Sequence, residues 1–173
     1  LKRASPRSDP GKVSKMSQVA PELHAGDTPP AFELVDAAGR SVSAADFVGR
    51  RTIVYFYPAA FTPGCTTEAC DFRDHLGSLA SGGYDVVGIS GDDQQTLARF
   101  AAEDALDFTL LSDPDHAVAQ AWGAWGEKVV GGETRIGALR STFVLDADGR
   151  VRSAEYRVDA DGHVGRLRDQ LGV

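Results

Sequence analysis

The chain has 173 residues, with 18 Lys+Arg against 25 Asp+Glu, a formal net charge of −7, 42% hydrophobic residues, two cysteines and one methionine. That length suits one domain, or a domain plus a tail, with a sizeable core, and two cysteines can neither staple such a domain nor build a four-cysteine zinc site. No apolar run is long enough to span a bilayer, no signal-peptide pattern opens the chain, and the acidic balance disfavours nucleic acid as the main partner.

Residues 1–15 (LKRASPRSDPGKVSK) hold five basic residues against Asp9. This segment therefore carries +4 and, from a total of −7, the remainder carries −11. With Pro, Ser and almost nothing to bury, it is expected to be a disordered tail. The reading taken is a foreign leader ahead of a natural start at Met16, the rival being a basic transit or nucleic-acid-binding arm. One domain is expected over 16–173.

From Pro30 the pattern becomes regular. Ala31–Val35 predicts a strand that turns at Asp36-Ala37-Ala38-Gly39 and continues through Val42 as an N-terminal β-hairpin. Thr52–Tyr57 (TIVYFY) is β-branched and aromatic throughout, as in a central strand buried on both faces, and Pro58 stops it. Thr62 then suits a helix N-cap and Pro63 the first helical position. Cys65, Ala69, Phe72, Leu76 and Leu79 mark one helical face up to Ser81-Gly82-Gly83. Val86–Ser90 predicts a second central strand, Asp92 or Asp93 the cap of a helix to Ala102, Phe108–Leu111 a short strand, and Asp113-Pro114-Asp115 the start of a helix through Trp122. Glu127–Leu139 reads as irregular or as an edge strand. Ser141–Leu145 and Val151–Tyr156 flank the turn Asp146-Ala147-Asp148-Gly149, and Val164–Leu171 closes as a helix. Alternating strands and helices argue for an α/β domain with a mixed central sheet flanked by helices.

The chemistry concentrates in Pro58–Cys70. With Thr62 as N-cap, Cys65 is the third helical residue, and its sulfur lies among amides that have no intrahelical acceptor. Those amides and the helix dipole favour the nucleophilic thiolate. Gly64 allows close approach to the backbone. Cys65 also lies on the apolar face, where a free cysteine is an ordinary small hydrophobe. Cys70, five residues on, is rotated by about 140° and its Cα stands about 8.6 Å away in an intact helix. A disulfide needs Cα atoms within about 7 Å, so either the two never pair or pairing requires the first turns to unwind.

The segment VYFYPAAFTPGCTTEACDFRD, followed by VVGIS, LLSDPDHAVAQAWG and LRSTFVLD in that order, resembles the peroxiredoxins. The resemblance is closest to the bacterioferritin comigratory protein, or peroxiredoxin Q, subfamily and covers residues 25–170. It implies a thioredoxin-like fold and a peroxidase for hydrogen peroxide and organic hydroperoxides that needs no metal, haem or flavin. It further implies that Cys65 is the peroxidatic cysteine and Cys70 the resolving one, joined in an intramolecular disulfide that thioredoxin or a similar dithiol protein reduces. Thr62 would hydrogen-bond thiolate and peroxide, Pro58 would shield the pocket, and Arg140 would complete the site. A cytoplasmic monomer or weak dimer is expected, with no nucleic-acid or membrane partner.

The residues taken alone leave alternatives open. Arg140 suits a strand-end arginine on a surface carboxylate, Thr62 a plain N-cap, Pro58 a strand terminator. Glu68 either orients the helix start or is a solvated helix carboxylate. Cys65, Cys70 and His75 could offer three zinc ligands, but the helix would spread them around its axis. His24, His116 and His163 show no metal spacing, Trp122 and Trp125 suit packing, and no phosphate loop is present. A thiol–disulfide oxidoreductase or a non-enzymatic redox sensor are the functional rivals. The first would more often carry C-x2-C.

Overall fold

The computed structural model describes residues 19–173; the expected tail over 1–15 and the start at Met16 lie outside them. In chain order the elements are β1 (Glu33–Asp36), β2 (Ser41–Ser43), a short 3-10 turn (Ala44–Phe47), β3 (Arg51–Phe56), α1 (Pro63–Ser81), β4 (Tyr84–Ser90), α2 (Gln94–Glu103), β5 (Thr109–Ser112), α3 (Ala117–Ala121), β6 (Trp125–Val130), β7 (Glu133–Ala138), β8 (Ser141–Leu145), β9 (Val151–Glu155) and α4 (His163–Leu171). Seven strands form one mixed sheet in the order β2-β1-β5-β4-β3-β8-β9. β3, β4 and β5 run parallel, β8 lies antiparallel to β3, and β1 pairs antiparallel with both β2 and β5.

The uninterrupted apolar run of β3 has its reason here, because successive side chains point to opposite faces and both faces are covered. Ile53, Tyr55 and Tyr57 face a core with Cys65, Ala69 and Phe72 of α1, Leu97 and Phe100 of α2, and Val164 and Leu167 of α4. Val54 and Phe56 face the opposite core, where Trp122, Ala119, Phe143 and Phe32 gather. Gly88 on β4 stands beside Tyr55, and a Cβ there would sit 3.0 Å from the phenol ring. This is the thioredoxin-like arrangement, with α1 crossing from β3 to β4 so that its N-terminus emerges where β3 ends.

Two elements depart from the sequence reading. Residues 127–139 are neither irregular nor a lone edge strand. β6 and β7 pair antiparallel as a separate two-stranded sheet, closed by Gly131 and Gly132 at φ 59° and 83°. A two-residue turn with both φ values positive is the tight hairpin connection that glycine favours. The helix opened by Asp113-Pro114-Asp115 contracts to the five residues of α3, because His116 takes the left-handed conformation, φ 57°, immediately before it.

Candidate active site

Pro58, half-buried at the exit of β3, begins a loop that delivers the chain to α1. Asp92, one of the two expected caps of α2, instead holds this loop: its Oδ2 accepts from Ala60 N at 2.7 Å and from Ser90 Oγ at 2.7 Å. Asp93 is the residue that caps α2, accepting from Thr96 N at 2.8 Å. Phe61 adopts φ 65°, which is costly for a bulky side chain. Its ring packs on Phe100 with centroids 5.2 Å apart, and the Arg99 guanidinium lies over the ring, 5.4 Å from its centroid.

Thr62 occupies the N-cap position of α1, but its side chain makes no capping hydrogen bond. The hydroxyl donates to Ala59 O at 2.8 Å, tying the preceding turn together. Pro63 sits in the first turn as expected. Cys65 and Cys70 are both free thiols within the one continuous helix. Cys65 is buried and Cys70 half-buried; burial pushes the Cys70 thiol up, with Arg73 pulling it down and Asp104, Asp74 and Asp71 adding to the rise.

Arg140, in the joint between β7 and β8, reaches across to the helix. Its Nη2 donates to Cys65 Sγ at 3.3 Å and its Nη1 to Glu68 Oε1 at 2.9 Å. A planar guanidinium aims a separate nitrogen at each partner in a rigid fork, where a lysine has one compact, freely turning ammonium. Burial opposes the charge on Arg140, but Glu68 and Cys65 more than offset it and hold the group firmly protonated. The backbone beneath is pinned: Val158 N donates to Arg140 O at 2.8 Å, and Ser141 Oγ to Leu139 O at 2.9 Å. Arg140 is thus no strand-end arginine on a surface carboxylate. Gly64 has a related purpose. A Cβ there would lie 3.2 Å from Arg140 Nη2, so the group that comes close to this backbone is the guanidinium.

Glu68 is no solvated carboxylate either, since its side chain is 0% exposed. Burial raises it from the usual carboxylate range to about 7, against the pull of Arg140's charge and hydrogen bond, with Asp71 adding to the rise. Its Oε2 has no hydrogen-bond partner among the described residues, and the same holds for the hydroxyls of Tyr55 and Tyr57. Both phenols are pushed up, mainly by burial, and feel the charges of Cys65 and Glu68.

Sequence reasoning missed Lys128 on β6. Its Nζ donates to Ala138 O at 2.9 Å, and it lies close enough to Cys65 and Arg140 for their charges to move its own titration, which burial lowers. Nothing in the local sequence pointed to it, because the hairpin carrying it was not read. Asp92 was noticed for the wrong role. His75 bonds Asp71 O within α1, and no group of three metal-binding side chains occurs among the described residues.

A thioredoxin-like sheet that presents a buried thiol on the first turn of a helix, bridged by a guanidinium, defines a thiol-dependent redox protein. The chain belongs to the AhpC/TSA family, which it matches over residues 25–154, and with its relatives it is a peroxiredoxin, a thiol peroxidase. A Mycobacterium tuberculosis (strain H37Rv) protein with a provisional peroxiredoxin name is 54% identical over 161 residues, 93% of this chain and 100% of the relative. Peroxiredoxin Bcp of Escherichia coli strain K12 is 50% identical over 129 residues, 75% of this chain and 83% of that one. Among solved structures, a Xanthomonas campestris bacterioferritin comigratory protein, described for alkyl peroxide reduction, superposes with a TM-score of 0.76 at 32% identity. That match covers 82% of this chain and 90% of the other. No helix among the described residues is long and apolar enough to cross a membrane.

Proposed function

We propose that Cys65 is the peroxidatic cysteine and Cys70 the resolving cysteine of a thioredoxin-dependent, single-chain two-cysteine cycle. The observation that carries this reading is the Arg140 bridge, which fixes a donor on the Cys65 sulfur from a buried anchor, the Glu68 carboxyl. The Cys65 thiolate attacks one oxygen of a hydroperoxide, the O–O bond breaks, and the products are a sulfenic acid and a hydroxide or alkoxide, which takes a proton from solvent to leave as water or an alcohol. Negative charge develops on the leaving oxygen, and Arg140 together with the free amides at the start of α1 stabilises it without reorganising. Thr62 presents its hydroxyl oxygen at the helix start, and Pro58 covers the loop side of the site.

In the second step the Cys70 sulfur displaces the sulfenic oxygen. The S–S bond forms, the S–O bond breaks, and the oxygen leaves as water with the Cys70 proton. The first turns of α1 must unwind for this, since the intact helix holds the sulfurs apart. A dithiol protein such as thioredoxin then supplies two electrons to restore both thiols. The five-residue spacing within one continuous helix favours this cycle over that of a C-x2-C oxidoreductase. A reducing, cytoplasmic setting, a domain over 16–173 and a monomer or weak dimer complete the reading.

Peroxide consumption coupled to a thioredoxin system tests it. Cys65→Ser is expected to abolish turnover, and Cys70→Ser to give one turnover ending in a sulfenic acid. Peptide mapping of oxidised wild type is expected to recover a Cys65–Cys70 disulfide. Sustained turnover by Cys65→Ser, or a peptide map without that disulfide, overturns the respective assignment.

A further inference from the structure

Residues 63–70 have to leave the core for the two cysteines to meet, and the segment carries an unusual burden. Glu68 lies between the cysteines, 0% exposed. One of its oxygens is held by Arg140 at 2.9 Å, and the other is enclosed with no partner among the described residues. A carboxylate in that position loses its hydration and recovers one charged hydrogen bond, which leaves the ionised form poorly compensated. A protonated carboxyl fits the same place at far lower cost. Just ahead of the helix, Phe61 holds a left-handed backbone that a bulky side chain adopts at a cost.

We propose that Glu68 is a positioning residue that sets the balance between the helical, peroxide-attacking form of α1 and its unwound, disulfide-forming form, with loss of the Glu68 proton driving the unwinding. This rests on the reading of Cys70 as the resolving cysteine. While protonated, Glu68 stays in the core and the first turns of α1 remain wound around Cys65. Once ionised, the carboxylate gains hydration by leaving, and the unwinding that frees it carries Cys70 toward Cys65.

The groups that face Glu68 bear this out. From the end of β3 come the neutral phenols Tyr55 and Tyr57, from α1 Asp71, and from the β7–β8 joint Arg140, shared with Cys65, brings positive charge. Asp71 disfavours a second negative charge nearby. The position of the titration agrees, since burial brings Glu68 up to about 7 in the folded protein, near neutral pH. The sign follows. Below the ordinary carboxylate range Glu68 is protonated in both forms and has no effect. As pH rises from there through about 7 the unwound form gains, because it alone releases the proton freely, and above that the gain is complete.

Hydrogen exchange on the reduced protein tests the proposal without requiring any disulfide. Peptides covering 63–72 are followed between pH 5 and pH 8 and corrected for the intrinsic exchange rate. In wild type the opening constant is expected to rise on the order of 50-fold, while peptides from β3 and β4 stay constant. In Glu68→Gln, whose neutral amide cannot ionise, the same peptides are expected to show no rise. A flat wild-type profile, or a profile equally steep in Glu68→Gln, overturns the proposal. If that variant does not fold, redox-difference infrared spectroscopy on wild type at pH 6 decides instead. A buried carboxylic-acid C=O band present in the reduced protein and lost in the disulfide form supports it, and no such loss refutes it. A missing Cys65–Cys70 disulfide in the peptide map would instead count against the resolving assignment and leave the exchange result standing.

Discussion

Each site residue was legible to the degree that its partners were local. Cys65 showed itself by its position after Thr62 and Pro63, and the misfit of Cys70 followed from helical geometry alone. Arg140 was reachable through the resemblance, because 75 residues separate it from the sulfur it touches. Glu68 stood one helical turn from Cys65, so its facing direction was readable, but what lay opposite that face was not. The bridge is the point to probe. Arg140→Lys keeps the charge yet replaces two forked nitrogens by a single ammonium, which loses the fixed geometry that aims one nitrogen at Sγ and the other at Oε1. The second-order rate of Cys65 with hydrogen peroxide is expected to fall about 100- to 1,000-fold, as for loss of one preorganised donor to a developing oxyanion. Stopped-flow tryptophan fluorescence measures it. The melting temperature is expected to fall as well, since buried Glu68 loses the well-aimed guanidinium hydrogen bond to its Oε1. A rate within about threefold of wild type would show that the bridge is structural and does not act on the reaction.

At the scale of elements, the strongly patterned segments matched the sequence reading, and the weak ones failed for identifiable reasons. β3 and β4 are apolar on both faces, and α1 carries both a helical stripe and a proline start. The β6–β7 hairpin is mostly exposed, with Val129 and Ile136 facing solvent, so burial imposes no alternation on it. Its signal was the Gly131-Gly132 turn, which residues 127–139 carried without a hydrophobic pattern around it. α3 shows the opposite case, an element whose start was clear and whose length was not. Five residues cannot sustain a helix by propensity, and buried Asp113 supplies what propensity does not. Its carboxylate accepts from Val118 N at 3.2 Å and from Ala119 N at 3.0 Å. Asp113→Ala leaves both amides without that acceptor and is expected to cost about 2–3 kcal/mol in urea unfolding. Asp113→Asn, which keeps one acceptor oxygen, is expected to cost about half as much. Equal costs for the two would mean that packing, and not the hydrogen bonds, explains the residue.

For the whole molecule, alternation of strands and helices was enough to foresee a layered sheet. It could not show that α1 and α4 bring two ionisable groups into the core near the start of β8. His163 of α4 is buried, its Nε2 lies 2.9 Å from Thr142 Oγ1, and burial, aided by the charges of Arg166 and Arg140, lowers it to about 4. Glu68 of α1 is raised to about 7. The two act on global stability with opposite signs. Unfolded His163 takes up a proton as pH falls below about 6.5 while the folded form resists down to about 4, so stability drops on acidification. Folded Glu68 keeps its proton up to about 7 while the unfolded form loses it near 4.5, so stability drops as pH rises through that window. Each amounts to about 2–3 kcal/mol across two pH units, and between pH 4.5 and 6.5 they largely cancel. Removing one exposes the other. In urea titrations, Glu68→Gln is expected to lose about 2–3 kcal/mol relative to wild type as pH falls from 6.5 to 4.5. His163→Leu, whatever its cost at neutral pH, is expected to lose a similar amount relative to wild type as pH rises over the same range. Parallel stability curves for wild type and both variants would place the pH response of the fold elsewhere. Mirror-image deviations would establish that two buried groups on different helices hold stability level while leaving the first turns of α1 free to respond to pH.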